Sequence, residues 1–266
     1  MSVLDEILAA KRDEVTLLHQ PQTRDAIHAA ALAAPTPRNF ATALRRANRL
    51  AVIAELKRRS PSKGDLAPTL DAASTAAAYA AGGAAALSVL TDQVFFGGTV
   101  ADLQQARDAA PTTPALRKDF VIDVDQVYET RAIGADAVLL IVAALPDHGL
   151  LRELHELAGA LGLAALVETH DGDELDVALA LGAGIVGVNA RDLGTFDEDL
   201  DGAETLAARV PPDVVAVAES AIRSPDDAKR MAAAGFDAVL VGEALVRAPD
   251  PRHLVSQLAD LPRRTR

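Results

Sequence analysis

"LGAGIVGVNA", residues 181 to 190, places glycines at 182, 184 and 187, the spacing of a dinucleotide-binding fingerprint. That fingerprint needs a strand, then the glycines, then a helix whose N-terminus meets the pyrophosphate. Here the order is reversed: the glycines end a helical stretch and open "IVGV", a strand-like run of branched aliphatics. Gly134 before "ADAV", Gly162 before "LAALV" and Gly235 before "FDAVLV" repeat the helix-to-strand sense elsewhere in the chain. No GxxxxGK[ST] phosphate loop is present.

Outward from this segment the same alternation recurs. "LAVIAEL", "AAALSVL", "PALRKDF", "DAVLLIV", "LAALVE", "GIVGVN", "VVAVAE" and "DAVLVG" are eight short strand-like runs. The stretches between them, such as 71–81, 99–109, 124–133 and 225–234, are long enough for crossover helices. Eight such units in 266 residues favour an α/β fold, a closed (β/α)8 TIM barrel, over a doubly wound open sheet. About 48 residues precede the first strand, with helical patterning over 3–18, 23–33 and 39–47, the last two separated by the breaker "APTP". The expected organisation is a single domain, with 1–48 as an N-terminal helical extension and 49–260 as the barrel.

Composition narrows the function. Half the residues are apolar, aromatics are only 3%, and cysteine is absent, which excludes thiolate catalysis and a disulfide framework. A net charge of −12 argues against nucleic acid or an anionic membrane as partner. No signal-peptide pattern or long apolar run appears, so a cytoplasmic setting is expected. The six histidines show no ligand spacing; they read as surface groups, and no metal is assigned.

Ligands of a barrel bind at the C-terminal ends of its strands. Those ends carry Glu55, Lys57 and Ser60; Lys118 and Asp119; Glu168; Asn189 and Arg191; Glu219 and Ser220; and Gly242. Glu55 and Lys57, two apart, share one face of a strand, which also suits a structural ion pair at the rim. Glu168 closes an apolar run, where a carboxylate needs a partner. Ser220, Ala221, Gly242 and Glu243 follow the last two strands, where barrels often hold phosphate. "FFGG", residues 95 to 98, follows the second strand and suits either core plus turn or an aromatic wall, from Phe95 and Phe96, for a flat substrate. Lysines for acid work, carboxylates for base work, an arginine and a phosphate cup fit ring chemistry on a phosphosugar with a second anionic group.

The blocks "IAELKRRSPSKG", "ALSVLTD", "LRKDFVID", "GADAVLLIVAAL", "LVET", "GVNARDL", "VAESAI" and "VLVGEALV" resemble, in order and spacing, the indole-3-glycerol phosphate synthase family. The resemblance implies cyclisation of 1-(2-carboxyphenylamino)-1-deoxyribulose 5-phosphate with loss of carbon dioxide and water, and no cofactor or metal. It also implies roles. Lys118 is the general acid and Glu168 its partner in dehydration, while Glu55 and Asn189 hold sugar hydroxyls and tune both. Lys57 and Arg191 engage the anionic ends of the substrate, and Ser60 belongs to an enclosing loop. Phe96, Phe120 and Leu139 wall the anthranilate ring; Ser220, Ala221, Gly242 and Glu243 hold the phosphate. Association with other tryptophan-pathway enzymes leaves no mark in the sequence.

Three residues depart from the family pattern. Ala221 replaces a glycine and resists positive φ. Glu243 replaces a serine and must point away from the phosphate. Asp125 stands where an aromatic residue is common, with a structural role expected. A phosphoribosylanthranilate isomerase, the nearest rival barrel, would need a catalytic cysteine at the first strand, and a non-catalytic phosphosugar-binding barrel is the other alternative.

Overall fold

The computed structural model describes residues 2–192, 194 and 196–264. Helices α1 (Val3–Leu18), α2 (Pro21–Ala33) and α3 (Phe40–Leu44) precede the first strand, in accord with the sequence pattern. Ser2 starts α1 with a capping box closed by Asp5. The barrel strands are β1 (Ala51–Leu56), β2 (Ala86–Leu90), β3 (Ala115–Lys118), β4 (Ala137–Ile141), β5 (Ala164–Thr169), β6 (Ile185–Asn189), β7 (Val215–Glu219) and β8 (Ala238–Val241). Between and after them run α4 (Ala72–Ala81), α5 (Val100–Ala109), α6 (Val124–Ala132), α7 (His148–Ala160), α8 (Gly172–Leu181), α9 (Leu200–Ala207), α10 (Pro225–Ala234), α11 (Glu243–Arg247) and α12 (Pro251–Ala259).

All neighbouring strands of the barrel are parallel, and β1 pairs with both β2 (Ile53 with Ala86) and β8 (Ala51 with Ala238). The sheet is therefore closed, and the open alternative is excluded. Gly182, at φ 83°, ends α8 in the left-handed conformation and delivers the chain into β6, as its place in "LGAGIVGVNA" requires.

Strand periodicity sorts the core into two shells. Val52, Ala54, Leu87, Val89, Val138 and Leu140 pack outward against the helices. Ile53, Leu116, Leu139, Leu166, Val217 and Leu240 fill the interior. Phe40 and Leu44 of α3, both almost wholly buried, join this inner cluster with Ala51 and Ala238 at the strand starts.

Asp125 has the structural role expected of it. Its buried carboxylate lies 2.7 Å from His28 Nε2 and 3.1 Å from Arg24 Nε, tying α2 to α6. His19 joins it at 3.1 Å from Asp123, so three side chains of metal-binding type meet at a place the histidine spacing did not reveal. Arg24 already pairs with Asp125 there, and His28 lies within hydrogen-bond distance of it. Among the described residues no helix is long and apolar enough to cross a membrane.

Candidate active site

The period-two alternation that points aliphatics into the barrel also brings charge to its mouth. Along β1 the inward series runs Ala51, Ile53, Glu55, Lys57; along β3, Leu116, Lys118; along β5, Leu166, Glu168; along β7, Val215, Val217, Glu219. Each inward series is apolar until it reaches the C-terminal end of its strand. A single cavity at this end is lined by Glu55, Lys57, Ser60, Phe96, Lys118, Phe120, Leu139, Glu168, Asn189, Arg191, Glu219, Ser220, Ala221, Gly242 and Glu243. The expected site residues thus face one space, with the exception of Phe95, which does not line it, although they come from segments up to 188 positions apart (243 − 55).

Lys118 is central. Its Nζ lies 2.8 Å from Glu168 Oε2 and 3.5 Å from Glu219 Oε2. Burial works against its charge, but Glu168, Glu219 and Glu55 outweigh that and hold the ammonium protonated well above the usual lysine range. Glu168 is just as buried, and burial alone would raise it. Lys118 and His170 prevail, so it stays a carboxylate well below the usual range. Asn189 Nδ2 donates to the other Glu168 oxygen at 2.9 Å, fixing the plane of the group.

Glu219 behaves oppositely. Burial first, then the neighbouring Glu168 charge, push its carboxyl up to about 8. Its Oε1 has no hydrogen-bond partner and fits against Gly187, where a Cβ would lie only 2.0 Å away. The third glycine of "GAGIVG" thus makes room for a side chain of the next strand. Glu55 pairs with Lys57 at 2.8 Å and accepts from Ser88 at 3.3 Å, so the rim ion pair forms inside the cavity itself.

The anion-binding candidates are less uniform. Arg191 is engaged by Glu198, which also takes Arg223, and its Nη1 donates to Ser62 at 3.4 Å beside Ser60. Glu243 pairs with Arg247 at 3.2 Å, one turn further along α11. Ser220 and Ala221 both adopt left-handed backbone, at φ 65° and 58°. Alanine therefore takes the conformation that it disfavours. Phe96 and Phe120 meet at 6.1 Å between ring centroids, tilted by 35°.

Two contributors, His170 and Lys11, escape the sequence reading of the site, and a third, Glu219, was placed at its strand end without a role. His170, read as a surface group, is mostly buried, 3.4 Å from Glu168 and 3.0 Å from Glu174. Burial opposes its charge, yet the two carboxylates raise it to about 10. Its position two residues after Glu168, just past the end of β5, was the available signal. Glu219 stood at a strand end, but nothing local foretold its pairing with Lys118. Lys11, in a helix read only as amphipathic, is 1% exposed and occupies the apolar stripe between Ile7 and Val15.

A model of the indole-3-glycerol phosphate synthase family matches residues 4–258. The indole-3-glycerol phosphate synthase of Aromatoleum aromaticum is 51% identical over 252 residues, covering 94% of this chain and 95% of its own. That of a Nocardioides species is 52% identical over 258 residues, covering 97% and 98%. Among solved structures, 3-hexulose-6-phosphate synthase from Salmonella typhimurium superposes with a TM-score of 0.64 at 17% identity, covering 80% of this chain and 98% of that one. Tryptophan synthase subunit alpha from Legionella pneumophila gives 0.60 at 15%, covering 84% and 98%. At those identities the structures speak for the barrel alone, whereas the sequence relatives carry the family: the chain belongs to the indole-3-glycerol phosphate synthases.

Proposed function

We propose that Lys118 is the general acid, and Glu168 its acid/base partner, in the reaction of this family. The chain is a carboxy-lyase of tryptophan biosynthesis: it converts 1-(2-carboxyphenylamino)-1-deoxyribulose 5-phosphate to indole-3-glycerol phosphate, carbon dioxide and water. The observation that carries the assignment is the 2.8 Å contact between Lys118 Nζ and Glu168 Oε2 at the mouth of the barrel.

As the ring carbon attacks the ketose carbonyl, negative charge develops on its oxygen, and an ammonium held in place stabilises and protonates it. Carbon dioxide then leaves and the ring regains aromaticity. Dehydration needs one proton given to the departing hydroxyl and one taken from carbon. A lysine held charged and a carboxylate held ionised enter the cycle ready to divide that work.

The remaining roles follow the lining of the cavity. Phe96, Phe120 and Leu139 wall the aromatic ring, and Glu55 and Asn189 hold sugar hydroxyls. Lys57 and Arg191 meet the anionic ends of the substrate, with Arg191 exchanging Glu198 for substrate on binding. Ser60 encloses the ligand. Ser220, Ala221, Gly242 and Glu243 hold the phosphate through main-chain N–H groups. Extension and barrel act as one cytoplasmic domain, a reading supported by Ile7, Phe40 and Leu44 within the barrel's inner cluster.

Indole absorbance reports turnover directly. Lys118→Ala should lower kcat by about 10²- to 10⁴-fold while product titrates with near wild-type affinity. Retained turnover in that variant would remove Lys118 from the acid role.

A further inference from the structure

The N-terminal helix sends one ammonium into the barrel rim. Lys11 Nζ stands 2.9 Å from Asp92 Oδ2 and 2.9 Å from Asp119 Oδ1, with Glu14 on its own helix at 2.8 Å. Asp92 and Asp119 are almost fully buried, one following β2 and the other β3. Each also holds the backbone of a phenylalanine. Asp92 Oδ1 accepts from the N–H of Phe95 at 2.6 Å and of Phe96 at 3.1 Å; Asp119 Oδ1 accepts from the N–H of Phe120 at 2.9 Å.

We propose that Lys11 is a positioning residue that sets the spacing of Phe96 and Phe120, and so the width of the slot for the substrate's aromatic ring. This rests on the assignment of those two rings to the anthranilate wall. Two buried carboxylates facing each other repel, and an ammonium between them turns the repulsion into a clamp. What the clamp holds on either side is the main chain beneath Phe96 and beneath Phe120. Val3, Leu4 and Ile7, one to two turns earlier on α1, line the same cavity, so the helix contributes both wall and clamp.

The clamp acts on the ring and not on the phosphate, which gives a readout that a purely structural lysine would not move. Titrations with indole-3-glycerol phosphate and with inorganic phosphate separate the two ends of the site. Lys11→Met should weaken product binding by about 10-fold and kcat/KM by about 10- to 100-fold, with phosphate affinity changed less than about twofold. Because that variant leaves the buried Asp92 carboxylate without its ammonium, while Asp119 keeps Arg117 at 3.2 Å, Asp92→Asn is the second arm. It keeps an oxygen for the Phe95 and Phe96 N–H groups and removes only the charge facing Lys11; the same selective loss, smaller in size, is expected.

Equal weakening of both ligands, or of neither, overturns the inference. Phe96→Ala separates it from its premise: if that change leaves product binding intact, the ring wall is misassigned. If it weakens product binding while Lys11→Met and Asp92→Asn do not, the wall stands and the clamp falls.

Discussion

Glu168 and Glu219 address one ammonium, that of Lys118, from 2.8 Å and 3.5 Å, yet their carboxyl groups are driven in opposite directions. Burial and the adjacent Glu168 charge outweigh the pull of Lys118 on Glu219. The closer one, steadied by Asn189 and His170, stays ionised, and the other retains its proton to about pH 8.

Folding therefore raises the Glu219 pKa from 4.5 to about 8, and across that interval the native state binds a proton that the unfolded chain has lost. Stability must fall as pH rises through this window. Glu219→Gln, which carries no proton to lose, should lack that component. Thermal melts of both proteins from pH 4.5 to 8 should show the wild-type advantage shrinking steadily; parallel curves would mean that Glu219 is not perturbed.

His170 carries a dependence of the same sign in a higher pH window. Its pKa rises on folding from 6.5 to about 10, so its contribution is complete below pH 6.5 and disappears as pH climbs through 10. The Tm gap between wild type and His170→Gln should be widest near pH 6 and close toward pH 10. A gap independent of pH would reduce the residue to packing.

The Ser220–Ala221 turn stores backbone strain at the proposed phosphate cup. Left-handed backbone costs a residue with a Cβ about 1–2 kcal/mol, while glycine adds about 0.5–1 kcal/mol of unfolded-state entropy. Ala221→Gly should thus stabilise by about 0.5–1 kcal/mol, seen as a Tm increase of about 1–4 °C. A lower Tm would indicate that the turn relaxes in solution.

Gly187 is the converse case, a place where a side chain is excluded by contact and not by backbone angle. A Cβ there would meet Glu219 Oε1 at 2.0 Å and Leu166 Cδ1 at 3.4 Å. Gly187→Ala should push the Glu219 carboxyl out of its seat beside Lys118 and lower kcat by about 10-fold or more. Wild-type turnover would show that Glu219 can shift without consequence.

The fold was legible because its signals are local. Eight aliphatic runs, helix-length gaps and Gly182 ending a helix before β6 each lie within a few residues. The inward-facing set was legible too, since Glu55, Lys118, Glu168 and Asn189 break apolar strands at their final positions. What remained hidden depends on meetings between distant segments. Nothing near Lys11 foretells that Asp92 and Asp119 converge on it, although a lysine inside an apolar stripe hints at a buried partner. His170 looked like a loop histidine because Glu174 reaches it only once α8 is formed.

Phe40 and Leu44 stopper the floor of the barrel, which makes the catalytic chamber a blind well. Traffic in both directions then uses the opposite end of the barrel, in a chamber that Val3, Leu4 and Ile7 help to line. Carbon dioxide formed midway through turnover therefore leaves by the same end as the larger indole that follows it, from a chamber walled in part by α1.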